Sequence, residues 1–145
     1  MHTLSIFFWI FAAMIATSFW EAYAEGEKSW ATGKSGWKFK LFGFEQTAYH
    51  FYLFVVMFPL LLTLPFIIFG WNARYFGIVG SAYFMGLSIE DFFWYIVNPK
   101  VKFRQFYTSF SDYYPWIKIK HKKIIPLGYV ASAIVAVLFW YFLWR

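Results

Sequence analysis

The sequence predicts an all-α integral membrane protein: a four-helix transmembrane bundle with amphipathic interfacial loops, in one domain over residues 1–145. Three observations carry that expectation. The chain is 61% hydrophobic and 14% charged, against roughly 45–50% apolar and about 25% charged in a soluble domain. Apolar runs long enough to cross a bilayer recur along it. Between those runs, two loops hold 11 of the 13 Lys and Arg residues. There is no cysteine, which excludes disulfides, thiolate metal sites and cysteine nucleophiles.

The first span is expected over about residues 4–24. A cleaved signal peptide competes with it, because Ala22-Tyr23-Ala24 resembles a small-x-small site. No Lys or Arg precedes the run and bulky aromatics fill it, which favours a retained helix. On that helix Thr17, Glu21 and Glu25 are spaced at four residues and share a face. Gly26 is placed to stop it.

Residues 25–46 form a loop that mixes Trp30, Trp37, Phe39, Phe42 and Phe44 with Lys28, Lys34, Lys38 and Lys40. Between two spans, that mixture predicts an interfacial segment rather than a nucleic-acid surface. The second span covers about 47–70, with His50 one turn inside its start. Pro59 and Pro65 each remove a helical N–H and are expected to kink it. The third span covers about 75–97 and ends at Asn98-Pro99. Its Gly77 and Ser81 form a small-xxx-small pair that permits close helix approach. Residues 98–123 carry Lys100, Lys102, Arg104, Lys118, Lys120, Lys122 and Lys123 against the single acid Asp112. An irregular surface-lying segment is expected there. The fourth span covers about 124–144. The basic loops, 25–46 and 98–123, fall on one side of a four-span chain. That places them in the cytoplasm and both termini outside, in what we expect to be a prokaryotic plasma membrane. The bilayer is the expected partner, with other membrane subunits or further copies of the chain as alternatives, and no nucleic acid.

Glu90 and Asp91 lie inside the third span, where an acid costs roughly 2.5–3.5 kcal/mol on insertion scales. They need partners. The end of span one, the start of span two and the end of span three share a membrane face, so Glu21, Glu25, His50, Glu90 and Asp91 can meet in one layer. Glu90 sits roughly 12 Å of helix rise from Asn98, while Glu21 and His50 lie nearer the surface. A gap of about one helical turn must therefore close. Adjacent helix positions also diverge by about 100°, so Glu90 and Asp91 cannot both face one point.

Three readings stay open. Carboxylates with an imidazole suit a divalent metal such as Zn, Mn or Fe, with Glu21, Glu25, His50 and Glu90 as candidate ligands. Crowded carboxylates also suit proton handling or catalysis, with Glu90, His50 and Asp91 as the candidate catalytic groups. The third reading is a structural network that pins helices together. His121, among four lysines, is expected to meet solvent or headgroups and not a metal.

Trp20-Glu21, Glu25-Gly26, Thr47-Ala48-Tyr49-His50 and the run from Glu90-Asp91 through Trp94 to Asn98-Pro99 together resemble a family of small prokaryotic multi-span membrane proteins. In that family a Glu-Asp-aromatic-aromatic-Trp run ends in Asn-Pro. The resemblance implies the architecture and the polar positions, and no reaction. The chain departs from it at Trp116-Ile117, where the family pattern has Trp-His, which weakens any case for a second histidine ligand. The functional expectation is a carboxylate–histidine site acting on an amphiphile at the cytoplasmic interface. An accessory subunit of a larger membrane complex, or a small proton or ion transporter, is the alternative.

Overall fold

The structure, a computed structural model, describes residues 2–28, 35–41 and 44–145. Trp30, Lys34 and Phe42 of the first basic loop lie outside the described residues. The described residues are mostly helical, with four long helices and two short antiparallel hairpins.

Helix α1 (His2–Glu25) stops where Gly26 turns to φ +61°. The Gly26 N–H still donates to the Ala22 carbonyl at 3.0 Å. A β-carbon at Gly26 would meet nothing within 4 Å, so its backbone angle, not space, explains the glycine.

The first basic loop is more ordered than an interfacial coil. Strands β1 (Lys38–Leu41) and β2 (Phe44–Thr47) pair antiparallel, Lys38 opposite Thr47. The hairpin feeds directly into helix α2 (Ala48–Phe69).

The start of α2 is wound as a π-helix from Phe51 to Met57 before the α-helical part, Phe58–Phe69. In this winding Phe58 N–H donates to the Leu53 carbonyl, five residues back. The next donor in that register, Pro59, has no N–H, so the Phe54 carbonyl loses its turn partner. The Tyr83 hydroxyl, from the neighbouring helix, donates to Phe54 O in its place. Replacing Tyr83 by Phe should leave that carbonyl unmet. The expected loss is about 0.6–1.7 kcal/mol, the span measured for hydrogen bonds between membrane helices, read as a shift in unfolding of the detergent-solubilised protein.

Helix α3 (Ala73–Val97) is capped by the Asn72 side chain, which accepts from Tyr75 N–H at 3.0 Å. It is the hub of the fold. Against α1 it runs parallel, with a constant offset of 72 residues. Ser18 Oγ donates to the Glu90 carbonyl at 2.7 Å and Asn98 Nδ2 donates to the Gly26 carbonyl at 2.7 Å. Met14 fills the space a β-carbon on Gly86 would need. Met14, Ser18, Ala22 and Gly26 thus form one i, i+4 ridge that meets Gly86, Glu90, Trp94 and Asn98.

On its other side α3 packs antiparallel to helix α4 (Leu127–Trp144). A β-carbon on Gly77 would sit 2.5 Å from Leu143 Cβ. Ser81 Oγ donates to the Ala136 carbonyl at 2.9 Å and accepts from Trp144 Nε1 at 2.9 Å. The small-residue pair Gly77/Ser81 is therefore used within the chain, against α4.

The second basic loop is folded and not irregular. After Asn98 it makes two 3₁₀ turns, Phe103–Tyr107 and Ser109–Ser111, then strands β3 (Trp116–Ile119) and β4 (Lys122–Pro126). Val101 and Phe106 are buried against Ala22, Trp94 and Tyr95, so this loop caps the helix ends with a core of its own. Because β4 runs to Pro126, α4 begins at Leu127 and not at 124.

Among the described residues, three helices are long and apolar enough to cross a membrane: Thr3–Glu25, Ala48–Phe69 and Leu127–Trp144. Their outer faces expose Phe8, Ile67, Phe69 and Phe142 at 71–85%. A surface so greasy belongs in lipid. α3 is as long, but most of the buried residues of the bundle are on it.

Candidate functional site

Two clusters grow from the junction of α1, α2 and α3. The first begins with Thr47. Its backbone is extended at the start of α2 and its Oγ1 accepts the His50 N–H at 3.3 Å. The same oxygen lies 2.7 Å from His50 Nδ1. One residue thus caps the helix and fixes the imidazole plane, which is the physical content of the Thr-x-x-His spacing. The other ring nitrogen, Nε2, faces α1, 3.6 Å from Glu25 Oε1.

Glu21 and Glu25 stand one turn apart on α1 and point the same way. Glu21, Glu25 and His50 each offer one ligand atom, and the three atoms lie within 4.8 Å of one another. All three side chains are buried. The α1–α3 offset puts Glu90 level with Ser18, three residues deeper than Glu21. Glutamate side chains span that distance, and Glu90 lies beside Glu21, close enough for their charges to interact. The gap of one turn expected from the sequence is closed by parallel packing. Glu90 is 4% exposed, and its Oε1 has no hydrogen-bond partner among the described residues. Trp94 Nε1, one turn further along the same face of α3, likewise has none.

Asp91, about 100° round the helix from Glu90, faces the second basic loop and α4. It accepts from Tyr114 on one oxygen and from Tyr129 on the other, the latter at 2.5 Å. Tyr113 OH donates to Tyr114 OH at 3.3 Å, and Tyr95 OH lies 2.5 Å from Tyr113 OH. Three hydroxyls thus form one hydrogen-bonded chain ending on a carboxylate whose other oxygen is met by a fourth, from Tyr129. Burial first, and then the charge of Asp91, pushes the Tyr113 and Tyr114 hydroxyls well above the ordinary tyrosine range. Both stay neutral donors.

A cavity of about 450 Å³ lies between α2, α3 and α4 and touches both clusters. His50, Glu90, Asp91 and Tyr114 give it polar lining; Phe54 and Leu87 give it apolar lining. At roughly 30 Å³ per water, it holds about fifteen water volumes.

The structure therefore brings Glu21, Glu25 and His50 together, sets Glu90 beside them and separates Asp91 from them. His121 is exposed in the β3–β4 turn, as expected. Ser18, Tyr95, Tyr113, Tyr114 and Tyr129 were not singled out by the sequence. Their hydroxyls carry no local spacing signal, because each partner lies on a different element. No family model matches the chain, and neither the curated proteins nor the solved structures yield a significant match.

Proposed function

We propose that α3 crosses the bilayer beside the other three helices, and that Glu21, Glu25 and His50 hold a divalent metal ion there. The observation that carries this reading is the meeting of three buried ligand atoms, from two separate helices, within 4.8 Å. Two carboxylates and an imidazole suit Zn, Mn or Fe. Three protein ligands leave a position for water or substrate. Glu90, with an oxygen that meets no protein donor, supports the role of general base beside that position. The cavity gives an amphiphile access, polar end toward Glu90 and apolar end along Phe54 and Leu87. Hydrolytic or transfer chemistry on a lipid-like substrate follows as the reaction class. The charge of the basic loops supports a cytoplasmic position for this end of the bundle.

An accessory-subunit role has less support, because the small-residue face that suited a partner is occupied by α4. The test is metal analysis of the full chain purified in mild detergent. A stoichiometric divalent metal is expected, lost in His50→Ala and Glu25→Gln and kept in Asp91→Asn. Metal-free wild-type protein that cannot be loaded would overturn the proposal.

A further inference from the structure

We propose that the β3–β4 hairpin is a recognition element for the phosphate of anionic lipids in the leaflet on which it rests. The argument is independent of the metal reading and starts from position. β4 passes into α4 with no linker, and Leu127 N–H donates to the Pro115 carbonyl at 2.8 Å, tying the base of the hairpin to the start of the span. The hairpin is thereby held at headgroup height. Its turn is tight: Lys120 and His121 both adopt left-handed backbone, at φ 46° and 66°. That is the signature of a two-residue hairpin turn, and it fixes the direction of the tip.

The lysines divide into two groups. Lys123 is committed inward: it lies 2.8 Å from Asp112 Oδ1, donates to Ser111 Oγ at 3.0 Å and to Thr108 O, and sits over the Trp116 ring. Its ammonium holds the Asp112 carboxyl below the usual carboxylate range, so the one acid of this loop is already answered. Lys118, Lys120 and Lys122 are exposed and form no ion pair among the described residues. Lys118, His121 and Lys122 line a surface cavity of about 450 Å³ together with Thr108, Ser109 and the Lys123–Asp112 ion pair, so its cations outnumber its one carboxylate. Ammonium groups beside hydroxyl donors are the groups that bind a phosphate.

The isoleucines decide between a lipid and a soluble phosphate. Ile117 and Ile119 flank Lys118 on β3, where the ladder shifts register, and with Ile124 they are 38–59% exposed. Exposed branched aliphatics interleaved with lysines suit the headgroup–acyl boundary. The occupant is therefore a lipid.

The experiment reconstitutes the full chain with equal amounts of phosphatidylglycerol and phosphatidylcholine and counts retained lipids by native mass spectrometry. The wild type is expected to enrich the anionic lipid. A lysine near an anionic surface is worth ~1 kcal/mol, about fivefold in binding. The triple variant Lys118→Gln, Lys120→Gln, Lys122→Gln should lose the preference. Lys100→Gln, Lys102→Gln, Arg104→Gln removes the same charge from the neighbouring turn and should keep it. Equal enrichment in wild type and hairpin variant, or equal loss in both triple variants, overturns the proposal. Displacement of the lipid by an equal concentration of inorganic phosphate would overturn the choice of a lipid. Circular dichroism of each variant establishes that the fold is kept.

Discussion

Asn98→Ala should lower the unfolding free energy by about 2–4 kcal/mol, three lost hydrogen bonds at roughly 0.5–1.5 kcal/mol each. Asn98 is 6% exposed and uses both ends of its amide. Nδ2 donates to the Gly26 carbonyl at 2.7 Å, beyond the end of α1. Oδ1 accepts from Lys100 N–H at 2.8 Å and from Val101 N–H at 3.1 Å, which closes the turn after Pro99. Alanine leaves all three partners without a protein group to meet. Asn98→Asp separates the two jobs. It keeps an oxygen for the turn amides but sets a negative charge against the Gly26 carbonyl, so most of the tie to α1 is lost while the turn survives. Glu25 is one residue from that tie, so loosening it should also weaken whatever the Glu21–Glu25–His50 group holds. Denaturant unfolding in detergent measures the first effect. A loss below about 0.5 kcal/mol, the low end for one such bond, would show that the 72-residue register does not depend on its last contact.

Much of the fold was legible because its punctuation is local. Gly26 ends α1 and Asn98-Pro99 ends α3, as their residue types predict, whereas the Asn72 cap, which starts α3 at Ala73 and not at 75, was not read from the sequence. The meeting of Glu21, Glu25 and His50 was also legible, since four-residue spacing and span order alone bring them to one membrane face. Three things were hidden, each for a physical reason. The hairpin at Lys120-His121 lacks the Gly or Asn that usually marks such a turn, so its Ile/Lys alternation was submerged in a run of charge. The depth of Glu90 relative to Glu21 depends on how α1 and α3 slide past one another, and Gly86 sets that by admitting Met14. Neither helix carries that information by itself. The tyrosines on Asp91 come from a loop and from α4, so they are found only once both are packed.

On the metal reading proposed above, Thr47→Val should weaken metal binding about 10–100-fold, the range seen when a group that orients a metal-bound histidine is removed. The structural reason is the double use of one oxygen. Thr47 Oγ1 caps α2 through the His50 N–H and also meets His50 Nδ1 at 2.7 Å. A proton on Nδ1, shared with that oxygen, leaves the Nε2 lone pair toward Glu21 and Glu25, the arrangement a cation requires. Valine keeps the shape of the side chain and removes both contacts. Loss of the cap alone costs about 1 kcal/mol of stability and would not by itself change the affinity of the folded site. Thr47→Ser restores the oxygen and should restore affinity. Chelator competition on folded protein reads the affinity, and thermal unfolding of the metal-free form reads the cap. If valine lowers only the second, the histidine is a helix pin, and the carboxylates beside it are held by protons instead of by an ion.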